Sequence, residues 1–252
     1  MEKLSAVIIT YNEEKNIGRC IDSILKIADE ILILDSNSTD QTAIIAEKKG
    51  AVLIKEPFRG HIQMKNRAVE LASNNYILSL DADEALDPRL TLSIQKIKEN
   101  FRHKAYRMNR CTNYCGRFIR HGSWYPDRKI RLFDRRFAKW GGINPHDKIE
   151  LAENINVEQL NGDILHYSYY TIAEHVAQNN KFSTISAESL FSQGKKTTFF
   201  KIIVHPAWAF FQGYILRTGF LDGLFGFVIA IQVAHLTFLK YIKLYMLLKS
   251  RK

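Results

Sequence analysis

The stretch Tyr76-Ile77-Leu78-Ser79-Leu80-Asp81-Ala82-Asp83-Glu84 decides the fold of this 252-residue chain. Its apolar first part is typical of a buried strand, and two carboxylates, Asp81 and Asp83, follow at the C-terminal end of that strand. Hard divalent ions such as Mg2+ and Mn2+ bind carboxylate oxygens and leave positions open for substrate phosphates. The stretch therefore predicts a site for a cation and a diphosphate. The alternative for an isolated Asp-x-Asp is a solvated acidic turn after a strand.

The residues before this stretch alternate between short apolar runs and amphipathic helical patterns. Strands are predicted at 5–10, 30–34, 51–55 and 76–80, and helices at 16–27, 41–49 and 61–72. Strands and helices that alternate in this way predict an α/β fold, with a Rossmann-like, mostly parallel sheet flanked by helices. Such sheets bind their ligands at the carboxyl ends of the strands. Polar clusters follow the first, second and fourth predicted strands, which agrees with a site at that edge.

After Pro88 the alternation becomes less regular. The pattern there predicts helices at 90–100 and 171–191 and strands at 105–114, 129–133 and 163–167. A Gly- and Arg-rich loop separates the first two of these strands. This part of the chain is strongly cationic, which suits a diphosphate, a phosphorylated lipid or a nucleic acid.

From Phe199 onward aromatic and aliphatic residues dominate, and the chain ends in several lysines and arginines. The segment 220–239 is about as long as a membrane span requires, but it contains Asp222, Gln232 and His235. We therefore expect apolar helices that lie on a membrane surface, with basic residues toward anionic headgroups. The alternative is a buried bundle or a dimer interface. Two regions are predicted: a catalytic domain at 1–198 and a membrane-associating helical region at 199–252.

The composition is that of a folded protein, with 46% hydrophobic and 25% charged residues, and it excludes global disorder. The 36 Lys and Arg residues outnumber the 26 Asp and Glu residues, so the formal net charge is +10. This excess favours partners that carry phosphates or an anionic membrane surface. The three cysteines are an odd number without metal-ligand spacing, and the N-terminus shows no secretion signal. A reducing cytosol is expected.

Three motifs together resemble family 2 glycosyltransferases with the GT-A fold. In order and spacing, they are Val7-Ile8-Ile9-Thr10-Tyr11-Asn12-Glu13-Glu14, Leu34-Asp35-Ser36-Asn37-Ser38-Thr39-Asp40-Gln41-Thr42 and Leu80-Asp81-Ala82-Asp83-Glu84. The resemblance covers about the first 135 residues. The later motifs Pro145-His146-Asp147-Lys148 and Gly219-Phe220-Leu221-Asp222-Gly223 are similar to the branch that holds lipopolysaccharide core β-1,4-glucosyltransferases.

The resemblance implies a nucleotide site at the ends of the first two strands, and this site would bind a donor with a uracil-type base. Thr10, Tyr11 and Glu13 match positions where an aromatic face stacks on a base and a carboxylate holds ribose hydroxyls. Asp35 matches the position that faces the nucleotide. The family often carries a second acid where this chain has Ser36, so the base contact belongs to either residue. The alternative for the first motif is a strand-to-helix turn with a cap.

The resemblance also implies a metal site and a third part of the nucleotide site. Asp81 matches the acid near the ribose or a metal-bound water, and Asp83 matches the ligand of a Mn2+ or Mg2+ ion that bridges both phosphates. His166 lies where related enzymes place a histidine that completes the metal shell; the alternative is a hydrogen-bonded core histidine. Lys65 lies in a helix that carries donor contacts in the family, and a solvated helix face is the alternative for it.

Inverting transfer needs a base within hydrogen-bonding reach of the acceptor hydroxyl, opposite the leaving group. Asp147 is the candidate, because it matches a position where related enzymes carry an acid, commonly Glu after His. The shorter Asp reaches about one methylene less. The sequence places Asp147 in a polar turn after Gly141 and Gly142.

The resulting prediction is an enzyme: a metal-dependent, inverting hexosyltransferase. Its donor is a nucleotide sugar, in particular a UDP-sugar, and its acceptor is a glycolipid such as lipopolysaccharide core. The location is cytoplasmic, peripheral at the inner face of the plasma membrane. The alternatives are a transferase that acts on polyprenyl phosphate, and a non-catalytic nucleotide-binding or membrane scaffold protein of the same fold. No nucleic-acid partner is expected, because the basic residues lack a recognisable nucleic-acid-binding motif.

Overall fold

The structure is a computed structural model that describes residues 2–143 and 146–250. The strands are β1 (Leu4–Thr10), β2 (Glu30–Asp35), β3 (Val52–Lys55), β4 (Tyr76–Asp81), β5 (Glu84–Leu86), β6 (Ala105–Tyr114), β7 (Arg117–Phe118), β8 (Asp127–Asp134), β9 (Ala138–Ile143), β10 (His146–Leu151) and β11 (Val157–Tyr169). The α-helices are α1 (Ile17–Ile24), α2 (Thr42–Lys48), α3 (His61–Leu71), α4 (Pro88–Glu99), α5 (Ile172–Ser192), α6 (Phe199–Phe211) and α7 (Gly223–Lys249).

The main sheet has the strand order β3-β2-β1-β4-β8-β6-β11-β5, with β7 paired to β6. Its first four strands are parallel, as their pairings β3-β2, β2-β1 and β1-β4 have the parallel register. From β4 onward antiparallel pairs join the sheet, among them β4-β8, β6-β8 and β5-β11. The predicted α/β fold with a Rossmann-like parallel half is confirmed. The strands β9 and β10 form a separate two-stranded sheet.

The parallel strands β1, β2 and β4 form because they are short, mostly apolar and largely buried on both faces. One face packs on Ile17, Cys20 and Ile21 of α1, and the other packs on Met64 and Ala68 of α3. The register places Thr10 beside Asp35 and Ile9 beside Asp81. The polar ends of three strands are therefore at one edge of the sheet, as the sequence predicts.

The chain forms two compact units, each of which is made of two segments. The first unit comprises Met1–Arg110 and Asp127–Tyr167, and the second comprises Cys111–Pro126 and Ser168–Lys252. The predicted boundary between a domain at 1–198 and a region at 199–252 follows a change in residue type. It stays a prediction.

The largest difference from the predicted elements lies in the first unit after β8. The sequence predicts a polar turn around Asp147, but the structure has a hairpin in which Asp147 belongs to β10 and pairs with Gly142 of β9. Glycine is favoured at Gly142, because its φ of 96° lies in a region that residues other than glycine rarely adopt. Two glycines next to polar residues hide the strand pattern, so the prediction was wrong. Asn144, Pro145 and the side chain of His146 lie outside the described residues.

The second unit is mainly helical. A π-helical turn at Gln212–Leu216 and a 3-10 turn at Gly219–Asp222 connect α6 to α7. Asn179 of α5 donates to the backbone oxygen and the side-chain oxygen of Gln232 of α7 at 3.2 and 3.0 Å. Lys243 donates to three further residues of α5, at 2.8 Å each: Asn180, Ser183 and Thr184. These polar contacts hold α7 against α5.

The predicted apolar helical region is confirmed as α6 and α7. Among the described residues, one helical stretch, Gly219–Lys249, is long and apolar enough by length and composition to cross a membrane, with a mean hydropathy of 1.6. Only 28% of that stretch's most apolar window is buried within the protein. Many large apolar side chains of this region are thus exposed, including Phe199, Phe200 and Leu224.

A buried histidine lies in an aromatic cluster of the second unit. His175 of α5 is 2% exposed, and its Nδ1 lies 3.1 Å from the hydroxyl of Tyr114. Trp124 and Tyr169 complete the cluster, with ring centroids 5.2 and 4.7 Å from the imidazole. Burial lowers the pKa of His175 from 6.5 to about 4, because the charged imidazolium would lose its hydration.

We expect the second unit to lose stability as the pH falls from about 6.5 to about 4, since the unfolded chain protonates His175 before the folded chain does. The loss of unfolding free energy should reach up to about 3 kcal/mol at the acid end. Urea unfolding at pH 7 and pH 5 measures it. The variant His175→Gln should flatten this dependence, and the exposed His235→Gln should preserve it. An equally steep dependence in His175→Gln would assign the effect to other groups.

Candidate active site

A cavity of about 430 Å³ opens at the carboxyl edge of the parallel strands in the first unit. Its walls come from the ends of β1 and β4, from the residue after β2, and from β10 and β11. The lining residues are Ile9, Thr10, Tyr11, Glu13, Ser36, Phe58, His61, Lys65, Asp81, Ala82, Asp83, Asp147 and His166. Nine of the ten residues predicted for the nucleotide, the metal and the base line this cavity, and Asp35 does not.

Asp81, the last residue of β4, is bound by two buried cations. Lys65 Nζ lies 2.9 Å from Asp81 Oδ1, and Arg131 donates to Asp81 Oδ2 at 3.0 Å. Burial would raise the pKa of Asp81, but Lys65 and Arg131 lower it well below its ordinary value. Asp81 is therefore a carboxylate whose charge is already compensated, which favours a role in positioning over direct metal ligation.

Arg131 of β8 contacts Asp81 and is held there by a second acid, Glu84. Its guanidinium donates to Glu84 Oε1 at 3.0 Å, and Glu84 also accepts from the backbone N–H of Asp81 at 3.1 Å. Burial on its own would lower the pKa of Arg131, but Glu84 and Asp81 raise it above its ordinary value. Arg131 also lies over the ring of Trp140, 5.1 Å from the centroid. A buried ion network of Arg131, Glu84 and Asp81 thus fixes the turn after β4.

Asp83 and His166 form a second pair at this turn. Asp83 Oδ2 lies 3.1 Å from His166 Nε2, and the backbone oxygen of Asp83 accepts from Tyr167 N–H at 2.9 Å. The pairing of β5 with β11 produces this contact, because it aligns His166 with Glu84. His166 Nδ1 is buried, and it has no hydrogen-bond partner among the described residues.

This pair fits two ligands of one divalent ion. Two atoms that each lie about 2.1 Å from an octahedral ion are separated by about 3 Å when they are adjacent, and the Asp83–His166 separation is 3.1 Å. In residues 2–143 and 146–250, no group of three or more His, Cys, Asp or Glu residues is placed to hold an ion. A cation at this pair would need further ligands from water or from a diphosphate.

Asp147 reaches the cavity from β10 and is held by the lysine that also binds Asp81. Its Oδ2 lies 2.7 Å from Lys65 Nζ, and Lys65 is 4% exposed. In the described part of the chain, Oδ1 of Asp147 has no hydrogen-bond partner. Lys65 is positioned in turn by the ring of Trp140, whose centroid is 4.3 Å from Nζ. The predicted alternative of a solvated helix face for Lys65 does not describe its contacts.

The ends of β1 and β2 form the other side of the cavity. The Thr10 hydroxyl is buried and has no hydrogen-bond partner in the described residues, while Tyr11 is 59% exposed. Glu13 accepts from Asn16 at 2.8 Å. Burial raises the pKa of Glu13, although the Asn16 hydrogen bond opposes that shift. An aromatic ring, a hydroxyl and a carboxylate thus face the same space.

Of the two residues proposed for the base contact, only one faces the cavity. Asp35 is 0% exposed, and its carboxylate accepts from the backbone N–H of Ser38 at 3.0 Å and from the Ser38 hydroxyl. Asp35 therefore shapes the turn after β2, and Ser36 is the residue that lines the cavity.

Sequence reasoning missed two aromatic residues that line the cavity near the start of α3. Phe58 is 55% exposed, and its ring lies 5.1 Å from that of His61 in an edge-to-face arrangement. Phe58 is a large aromatic residue in a polar loop after β3, which is a signal that could have identified it. The contact of Lys65 with Asp147 joins residues 82 positions apart, and no local pattern predicts it.

Comparison with known proteins gives consistent results. The sequence profile described as Glycosyl transferase family 2 matches residues 5–151. An uncharacterized glycosyltransferase from Rickettsia typhi is 34% identical over 262 aligned positions, which cover 100% of this chain and 90% of the relative. The lipopolysaccharide core biosynthesis glycosyltransferase LpsC of Rhizobium meliloti is 31% identical over 249 positions, which cover 96% of this chain and 92% of LpsC.

Among solved structures, the mannosyltransferase PcManGT from Pyrobaculum calidifontis, in complex with GDP-Man and Mn2+, has a TM-score of 0.56. The match covers 97% of this chain and 87% of that chain at 13% identity. At this identity the likeness concerns the fold alone, and it supports the α/β architecture predicted from the strand and helix pattern.

Proposed function

The chain belongs to glycosyl transferase family 2, as its three motifs predict, and we propose that it is an inverting, metal-dependent hexosyltransferase that uses a nucleotide sugar. The observation that carries the proposal is the meeting of Asp81, Asp83, His166 and Asp147 around one cavity at the edge of a parallel sheet. These groups supply what transfer from a diphosphate donor requires: charge compensation at the leaving group and a base for the acceptor.

The donor half of the proposal places the nucleotide at the ends of β1 and β2. The exposed ring of Tyr11 suits stacking on a base, and Glu13 suits ribose hydroxyls. The buried Thr10 hydroxyl gains a hydrogen-bond partner if a ligand fills the cavity. UDP is the nucleotide we propose, with Ser36 at the base.

The metal half of the proposal assigns Asp83 and His166 as the protein ligands of Mn2+ or Mg2+. A divalent ion, when bound there, supplies positive charge to the diphosphate as the leaving group gains negative charge. Asp81 stays with Lys65 and Arg131 and fixes the turn that carries Asp83.

Asp147 is the proposed base. Because Lys65 contacts only Oδ2 of this carboxylate, Oδ1 is available to accept the proton of the acceptor hydroxyl. The same lysine contact keeps the carboxylate oriented toward the cavity.

The acceptor that we propose is a glycolipid, and lipopolysaccharide core is the favoured class. Two observations support it: the 31% identity to LpsC over 96% of the chain, and the exposed apolar side chains of α6 and α7. Such side chains suit a protein that lies on the cytoplasmic surface of a membrane, with its basic residues toward anionic headgroups.

The metal and donor assignments are tested by Asp83→Ala. We expect the affinity for UDP in the presence of Mn2+ to fall by about 100-fold or more, since losing one of two protein ligands costs more than the 10- to 100-fold known for residues behind the ligands. Titration calorimetry with UDP, GDP and CDP, with and without Mn2+, measures it and identifies the nucleotide.

The matched control is Asp22→Asn, which removes an acid of the same unit whose exposed side chain contacts Lys49 at 2.6 Å. This control should bind UDP like the unmodified protein. Removal of Mn2+ by EDTA should bring the unmodified protein to the affinity of Asp83→Ala. Full Mn2+-dependent affinity in Asp83→Ala would refute the metal assignment, and no nucleotide binding by the unmodified protein would refute the donor.

A further inference from the structure

A second cavity, of about 540 Å³, lies within the second unit and has a basic wall. It is formed by the loop that contains Arg120 and His121 and by Arg217 and Thr218, which follow the π-helical turn. No Asp or Glu is among its lining residues in the described part of the chain. Arg120 and Arg217 both line this cavity, and neither has a role in the proposed donor site.

Asp222 contacts two of the residues that line this cavity, Arg120 and His121. Asp222 is 4% exposed, and its Oδ2 accepts from the backbone N–H groups of Arg120 and His121 at 3.1 and 2.8 Å. Its Oδ1 lies 3.1 Å from His121 Nδ1. Asp222 thus holds the loop in place.

The backbone of Arg217 is fixed by two hydrogen bonds. Its oxygen accepts from Gly122 N–H at 2.9 Å, and its own N–H donates to the Gln212 oxygen at 2.9 Å. The next residue, Thr218, has a left-handed backbone with a φ of 54°, a conformation that is uncommon for Thr. Within the residues that the structure describes, the Arg217 guanidinium has no hydrogen-bond or ion-pair partner. A guanidinium has five N–H donors, so an unpaired one in a cavity wall is suited to an oxyanion.

The surroundings of the cavity are apolar and exposed. On the two sides of Arg217 along the chain, Ile215, Leu216, Phe220 and Leu221 are between 43% and 57% exposed, and Leu224 is 70% exposed. A soluble phosphate compound has no apolar part that would cover these side chains. An amphiphile, in contrast, uses both features: its anionic group binds the guanidinium, and its acyl chains cover the apolar side chains.

We propose that Arg217 and Arg120, supported by Asp222, form a binding site for the phosphate group of a membrane lipid. Two arginines match the geometry and charge of a phosphate better than those of a single carboxylate. This site is separate from the donor cavity. Only the idea that the bound lipid is the sugar acceptor rests on the proposed function. The ligand class is then a glycolipid or polyisoprenoid that carries a phosphate.

The test is flotation of the full chain with phosphatidylcholine vesicles that contain either phosphatidic acid or oleate at matched surface charge. We expect about tenfold preference for the phosphatidic acid vesicles, because a charge-assisted hydrogen bond to phosphate contributes about 1.5 kcal/mol or more. Arg217→Gln and Arg120→Gln should each remove most of that preference. Lys196→Gln, which removes one exposed charge from the same unit, should retain it.

Near-UV circular dichroism and thermal unfolding check that each variant is folded. If one arginine variant does not fold, the other still tests the site. Equal binding of the unmodified protein to both vesicle types would overturn the proposal, as would a retained preference in both arginine variants. Loss of the preference in inorganic phosphate equimolar with the lipid phosphate would assign the site to free phosphate and overturn the lipid assignment. The vesicle measurement needs no nucleotide, so failure of UDP to bind the donor cavity leaves its result unchanged.

Discussion

Asp147→Asn is expected to lower the transfer rate kcat by about 100-fold to 10,000-fold while donor affinity changes little, since this is the range that a positioned general base contributes. Asparagine preserves the shape of the side chain and can still accept from Lys65, whose Nζ lies 2.7 Å from the carboxylate. It cannot take the proton of the acceptor hydroxyl. A steady-state assay of sugar transfer, with UDP binding measured by calorimetry on the same samples, separates the two effects.

The control for this substitution is Glu150→Gln, which removes an exposed carboxylate from the same strand. Its transfer rate should equal that of the unmodified protein. A fully active Asp147→Asn enzyme would place the base elsewhere. A parallel loss of donor affinity would instead show that the Lys65 contact, and not proton transfer, is what Asp147 provides.

The second large effect is expected for stability. Arg131→Met should lower the free energy of unfolding by about 3–5 kcal/mol, because it leaves the buried carboxylates without their shared cation. Arg131 donates to both Asp81 and Glu84 at 3.0 Å, and Glu84 is 1% exposed. Urea unfolding at neutral pH measures the change.

Arg67→Met is the matched control, because Arg67 makes a comparable contact to Glu56 at 2.9 Å with 43% of its side chain exposed. We expect it to cost less than about 1 kcal/mol, as exposed ion pairs do. Similar losses in the two variants would mean that the buried Asp81–Glu84–Arg131 network contributes no more to the free energy of unfolding than an exposed ion pair. A loss near zero for Arg131→Met would mean that Lys65 alone compensates Asp81.

The parts of the fold that could be predicted are those that local sequence determines. The strands β1, β2 and β4 are mostly buried, mostly apolar runs, so their positions and their polar ends follow from the pattern alone. The hairpin around Asp147 could not be predicted in this way, because its strands mix glycine, charge and apolar residues without a clear period.

The candidate site shows the same division. Asp81 and Asp83 are evident from a strand end, and the family resemblance points to Asp147 and His166. What the sequence does not contain is the set of partners: Lys65 between two carboxylates, Glu84 beneath Arg131, and the Asp83–His166 pair. These contacts arise from pairing between distant strands, and they decide which acid is compensated and which is available for a ligand.

The division of both units into two chain segments has a consequence for synthesis on the ribosome. Residues 111–126 emerge early, but the helices that belong to their unit, including α7, end at Lys249. The second unit therefore cannot close until α7 has been synthesised, and in the meantime the Tyr114 and Trp124 rings of the nascent chain lack partners such as His175 and Phe225. A premature stop codon between residues 168 and 222 would release a chain with all segments of the first unit and without α7 of the second.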